Sequence, residues 1–143
     1  MKILITEDEP IIAGELESIV TDLGHQVVGI ARSSRRAFSL AEITGCDLAF
    51  VDVHLSDGIT GPTVARHLSE DAHATVIFTT ANPHQIPEDF SSACGILLKP
   101  YSEHSVKSTI AFVVDCMERG SSLRRKPRAL QLSPAYAVRW KVS

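Results

Sequence analysis

A chain of 143 residues with 44% hydrophobic and 22% charged side chains has the size and composition of one globular domain with a full core, which excludes disorder throughout. No apolar stretch approaches the ~20 residues of a membrane span, and Met1-Lys2-Ile3-Leu4 runs directly into acidic residues without a signal-peptide pattern, so a cytoplasmic protein is expected. The net charge of −3 hides an asymmetry: residues 1–118 carry all 17 acidic residues and seven basic ones (net −10), and residues 119–143 carry seven basic residues and no acid (net +7).

Lys2–Thr6 reads as a buried strand. Pro10 suits the first turn of a helix whose apolar stripe is Ile11, Leu16, Ile19, Val20 and Leu23, ended by Gly24. Gln26–Ala31 is a second strand. Ser33 or Ser34 is placed to cap a second helix through Ala37, Leu40, Ala41 and Ile43, closed by Gly45. Asp47–Val51 is a third strand, followed by Asp52 and a loop with two glycines, His54–Gly61. A third helix begins at Pro62 with Val64, Ala65 and Leu68 on one face. Thr75–Thr79 is a fourth strand. Residues 82–90 contain Pro83 and Pro87 and give a poor helix signal, with a short helix expected near Ser91–Cys94. Gly95–Leu98 is the fifth strand, ended by Lys99-Pro100, and Val106, Ile110, Val113, Val114 and Met117 mark a last helix over Glu103–Glu118. Beyond Gly120 the pattern weakens through the basic run Arg124-Arg125-Lys126-Pro127-Arg128. Strands alternating with helices imply right-handed crossovers and a parallel sheet covered on both faces. Cys46, Cys94 and Cys116 are odd in number, far apart and without C-x-x-C spacing, the pattern of small buried or half-buried thiols in a reducing compartment.

Glu7-Asp8, Asp52, Thr80 and Lys99 each lie at or just past the C-terminal end of one of these strands. In an open parallel sheet those ends share one edge, where such sheets bind ligands. Three carboxylates, a hydroxyl and an ammonium gathered there suit a hard divalent cation together with a phosphoryl group.

The order and spacing of Glu7-Asp8, Asp52, Thr80-Ala81 and Lys99-Pro100 resemble the receiver domain of two-component response regulators over residues 1–118. The resemblance implies a flavodoxin-like, doubly wound five-stranded parallel sheet of order 2-1-3-4-5. It implies a phosphoryl group accepted on Asp52 from a sensor histidine kinase or a histidine phosphotransfer protein, with signalling to a downstream protein partner or service as a phosphate sink. Mg²⁺ is the implied cofactor, held by Asp8, Asp52 and the His54 backbone carbonyl, with Glu7 binding directly or through water. Lys99 would pair with a phosphoryl oxygen, and Thr80 would donate its hydroxyl to another. Positioning and electrostatics carry most of phosphoryl transfer, so no general base is needed and no turnover enzyme is expected.

Several positions depart from the family. Position 96, three before Lys99, is Ile96 where receivers carry Tyr or Phe, so the aromatic switch is missing. The segment from Thr80 to Lys99 looks about three residues short, and its helix is expected to be truncated or irregular. Phe78-Thr79-Thr80-Ala81-Asn82 resembles an atypical subgroup with a Phe-Ala-Thr-Gly-type motif, whose members work in the alphaproteobacterial general stress response or as stand-alone regulators; Thr79 and Ala81 depart from that motif. The loop after Asp52 lacks the common proline at Ser56 and is one residue long before Gly61.

Residues 119–143 are too few for an effector module, so a basic tail without a separate output domain is expected. Its reading is a solvated segment, with docking on the acidic body or on a partner as the next alternative and nucleic-acid contact as the last. Tyr136 and Trp140 amid Leu130, Leu132 and Val138 suggest packing on a surface or on a second copy, and a homodimer is one arrangement the family allows. Two other functions compete. A phosphatase of the haloacid-dehalogenase type needs an acid two residues after its nucleophile, where this chain has His54. A pseudo-receiver would bind proteins without phosphorylation.

Overall fold

The structure, a computed structural model, describes all 143 residues. Five apolar runs form parallel strands: β1 (Lys2–Thr6), β2 (Gln26–Ala31), β3 (Leu48–Asp52), β4 (Thr75–Thr80) and β5 (Gly95–Leu98). They stand in the order β2-β1-β3-β4-β5, as expected, and a sixth strand, β6 (Leu130–Leu132), extends the sheet beyond β5. The helices are α1 (Pro10–Asp22), α2 (Ser34–Thr44), α3 (Gly61–Glu70), α4 (Glu103–Arg119) and the short α5 (Pro134–Arg139).

Strand periodicity divides the core in two. Ile3, Ile5, Phe50 and Ile77 point to one face and pack with Leu16 and Val20 of α1 and with Ile110 and Val113 of α4. Leu4, Ala49, Val51, Val76 and Phe78 point to the other and pack with Ala37 and Leu40 of α2 and with Val64 and Leu68 of α3. The central strand β3 is therefore buried at every residue, which is why its sequence is almost uniformly apolar.

The helix stripes correct the expectation in places. α1 buries Ala13, Leu16, Ile19 and Val20, whereas Ile11 is 77% exposed. The 3.6-residue period turns Ile11 away from the Ala13–Leu16–Val20 line. Ile43 faces solvent for the same reason. In α4 the buried stripe includes Thr109, Phe112 and Cys116, which the sequence reading omitted. Ser33, rather than Ser34, caps α2, its Oγ accepting the Arg36 N–H at 3.1 Å.

No α-helix joins β4 to β5. Two single 3₁₀ turns, Pro83–Gln85 and Phe90–Ser92, take its place. Pro83 and Pro87 supply no N–H to an α-helical ladder, and Phe90 is buried in the α2/α3 core. The Arg66 guanidinium of α3 clasps the segment, donating to Asp89 Oδ2 at 2.9 Å and Oδ1 at 3.1 Å.

The residues expected to form a basic tail pack on the chain's own body. β6 runs antiparallel to β5, pairing Leu130 with Leu97, Gln131 with Ile96 and Leu132 with Gly95. A side chain at Gly95 would put its Cβ 2.7 Å from the Gln131 carbonyl, so glycine is what lets β6 come this close. Trp140, 4% exposed, packs into the α1/α4 core and meets the Tyr136 ring edge-on at 4.9 Å. β6 thereby covers the backbone edge of β5. The three cysteines are free, Cys94 and Cys116 buried and Cys46 half-buried. No helix is long and apolar enough to cross a membrane.

Candidate functional site

Parallel register brings the candidate residues together. Thr6 pairs with Val51, Asp52 with Thr79, and Thr80 with Leu98, so the residues that follow all emerge at one edge of the sheet. The ladder continues past the strand ends: Glu7 N–H donates to the Ala31 carbonyl and Lys99 N–H to the Thr80 carbonyl, both at 2.9 Å.

Lys99 is the centre of the cluster. Its Nζ donates to Glu7 Oε1 at 2.8 Å and to Asp52 Oδ2 at 3.0 Å. Glu7 and Asp52 are buried and Asp8 is half-buried, and each of the three offers a carboxylate oxygen within 4.8 Å of the others. Two backbone amides complete the shell. Glu9 N–H donates to Glu7 Oε2 at 3.2 Å, and His54 N–H donates to Asp52 Oδ1 at 3.3 Å.

One ammonium between two buried carboxylates leaves a negative excess. Burial, joined by the neighbouring Asp52 and opposed by Lys99, pushes the Glu7 carboxyl up to about 7. Burial alone would pull Lys99 down, but its bonds to Glu7 and Asp52 more than offset this and hold the ammonium above its ordinary value. A close set of hard oxygen donors with excess negative charge suits Mg²⁺.

The loop after β3 is held from both sides. At Gly61 a Cβ would lie 2.2 Å from the Asp52 carbonyl oxygen and 2.6 Å from Val53 Cα, so no side chain fits beneath Asp52. Asp57 accepts hydrogen bonds from Ser34 and from Thr60 Oγ1, the latter at 2.7 Å, tying the loop to α2. The Ser34 hydroxyl first, then Thr60, bring the Asp57 carboxyl down to about 2.

Thr80 is buried beside the carboxylates, and its Oγ1 accepts the Asn82 N–H at 3.0 Å rather than bonding to the acids. The His54 ring is turned away from Asp52, its Nε2 lying 2.5 Å from Gln85 Oε1 in the first 3₁₀ turn. Ile96 is buried in the α2/α3 core, beside Phe78 of β4.

The sequence reading missed Tyr101. Its hydroxyl is buried without a hydrogen-bond partner. Burial, with the charges of Glu7, Glu15 and Asp52, pushes that hydroxyl well above the ordinary tyrosine range. Together with Ile12, Glu15, Ala81, Lys99 and Pro100 it lines a cavity of about 300 Å³ beside the site. Its place two residues after Lys99 was the available signal. Gln85 was invisible because it lies in a stretch without periodicity.

Residues 3–111 match the family model of the response regulator receiver domain. The chain belongs to that family, the receiver module of two-component signalling. It is similar to the phyllosphere-induced regulator PhyR of Methylorubrum extorquens, at 35% identity over 112 residues, covering 77% of this chain and 42% of that protein. The chain thus spans less than half the length of this relative. The solved PhyR receiver domain of Erythrobacter litoralis is similar at 30% identity with a TM-score of 0.71, covering 79% of this chain and 88% of that one. The anti-anti-sigma factor PhyR of Bartonella quintana, solved in complex with the anti-sigma factor NepR, is similar at 36% identity with a TM-score of 0.51, covering 54% of this chain and 32% of that one.

Proposed function

We propose that this chain is a phosphorylation-dependent signalling module whose phosphoacceptor is Asp52. The observation that carries this reading is the bridge of Lys99 between Asp52 and Glu7 with Asp8 alongside. Asp52 is the only one of the three carboxylates that belongs to a strand, which fixes its backbone for in-line attack.

In the proposed reaction an Asp52 oxygen attacks the phosphorus of a phosphohistidine. The new O–P bond forms as the N–P bond breaks, and the electron pair returns to the imidazole nitrogen of the donor. Lys99, already donating to Asp52, exchanges a carboxylate oxygen for a phosphoryl oxygen as its partner. Thr80 Oγ1 accepts the Asn82 N–H and donates its own proton to a second phosphoryl oxygen. Glu7, Asp8 and Asp52 are the residues that would hold Mg²⁺, with the His54 carbonyl as a further ligand. When bound, Mg²⁺ neutralises charge on the transferring group. The donor is a histidine kinase or a histidine phosphotransfer protein, and the output is binding to a protein partner. The NepR complex of the Bartonella quintana relative supports an output of that kind. The chain acts by changing affinity and does not turn over a substrate.

Incubation with acetyl phosphate and Mg²⁺, followed by intact mass, tests the reading. One phosphoryl adduct is expected, absent from Asp52→Asn and from an EDTA control. Absence of both the adduct and Mg²⁺ binding would replace this reading with a protein-binding module independent of phosphorylation.

A further inference from the structure

The basic run Arg124-Arg125-Lys126-Pro127-Arg128 takes no part in the Asp52 site, and it is not a free tail. Both ends are held. Ser122 Oγ donates to Asp115 Oδ2 of α4 at 2.7 Å and accepts the Arg124 N–H at 3.0 Å, while Leu130, fully buried, begins β6. In the middle, Lys126 Nζ donates to the carbonyls of Pro127 at 3.1 Å and Leu130 at 2.6 Å, folding the run back on itself.

The fold-back leaves a groove of about 420 Å³ between the run and the first turns of α4. Arg124, Arg125 and Arg128 line one wall, and His104, Ser105 and Ser108 the other. No carboxylate lines it, and Pro127 and Ala129 are its only side chains without a polar atom. None of the three arginines forms an ion pair, although residues 1–118 carry a net −10. Holding three unpaired cations around one concavity costs self-repulsion, which an anion in the groove relieves.

The lining also limits which anion fits. Guanidinium forks match phosphate oxygens two at a time, and the serine hydroxyls and imidazole add single donors. The His104 imidazole is the groove's one aromatic ring, with no Phe, Tyr or Trp to stack a base, and Pro127 and Ala129 are too small a floor for an acyl chain or a large hydrophobic side chain. The ligand is therefore recognised through its charged oxygens. We propose that this groove binds a short phosphate chain, either an inorganic oligophosphate or the phosphate tail of a nucleotide. The proposal stands apart from the phosphoacceptor reading, since it uses none of the residues of that site.

Titration calorimetry of the full chain with tripolyphosphate tests it, at low ionic strength and in EDTA so that no metal phosphate enters the acidic site. Binding of one tripolyphosphate per chain is expected. It should weaken by about tenfold or more in R125E/R128E and by a smaller factor in S108A. It should keep its strength in R35E/R36E, which makes the same charge change on exposed residues of α2. Fluorescence of buried Trp140 confirms that each variant is folded. ATP binding like tripolyphosphate, with adenosine inert, supports the proposal and identifies the chain alone as the recognised group. ATP binding about tenfold tighter also supports it and identifies a nucleotide as the source. No binding, equal loss in the two double variants, or a polyglutamate peptide binding as well as tripolyphosphate would overturn it.

Discussion

Lys99 Nζ lies 2.8 Å from Glu7 Oε1, joining the end of β5 to the end of β1 across 92 positions of sequence. The same ammonium reaches Asp52, so one cation serves two buried acids. Removing it leaves the Asp52 carboxylate, and the Glu7 carboxyl wherever it is ionised, without a counter-charge. Lys99→Met is expected to lower stability by about 2–4 kcal/mol near neutral pH. The loss should shrink at acid pH, where Glu7 is protonated. Urea unfolding in EDTA at two pH values checks this, and an equal loss at both would refute it.

Glu7 itself gives the apo protein a pH dependence. Its carboxyl holds a proton up to about 7 in the folded chain, against 4.5 for an unperturbed glutamate. Between those values the folded state binds more protons than the unfolded state, so stability falls as pH rises through the window and levels off above it. The full loss is at most about 3 kcal/mol, and Glu7→Gln should abolish this slope. Chemical denaturation across the window, in EDTA, compares the two proteins; matching slopes would exclude Glu7 as the source.

Gly61→Ala forces a Cβ to within 2.2 Å of the Asp52 carbonyl oxygen, where the obstacle is backbone and has little room to yield. A loss of about 2–4 kcal/mol is expected, with weaker phosphoryl transfer to Asp52 as its carboxylate shifts. Thermal unfolding and the acetyl phosphate assay read the two effects separately.

Tyr101→Phe runs the other way. The buried hydroxyl has no partner in the folded chain, so removing it sheds a desolvation cost. Stability should stay level or rise by up to about 1 kcal/mol. A clear loss in the denaturation midpoint would mean that the hydroxyl is bonded in solution.

Trp140→Ala tests whether the C-terminal segment is part of the core. A nearly fully buried tryptophan truncated to alanine should cost about 3–5 kcal/mol. Gly95→Val should also destabilise, by pushing β6 away from β5. If either variant melts with the parent protein, β6 and α5 contribute nothing to the fold.

Much of this was legible in residue order. Short continuous apolar runs marked β1 to β5, because successive strand residues face opposite cores and only apolar ones survive on both. The acids at the ends of β1 and β3 and the lysine after β5 were readable as one site because parallel strands align their C-terminal ends. The two prolines between β4 and β5 announced the missing helix through the N–H groups they lack. Ile11 and Ile43 misled because an apolar side chain does not state which way its helix is turned.

The sequence by itself determined the alternation of strands and helices, the sheet order implied by family resemblance, and the acid–hydroxyl–lysine set at one edge. The first and last of these rest on local apolar pattern and residue type, and the sheet order rests on the resemblance alone. Tertiary structure alone decided that Lys99 pairs with Glu7 as well as Asp52, that Tyr101 is buried beside them, and that Leu130–Trp140 closes the sheet next to β5. Those are contacts between segments far apart in the chain. Packing volume and charge balance select them, and neither quantity exists until the segments meet.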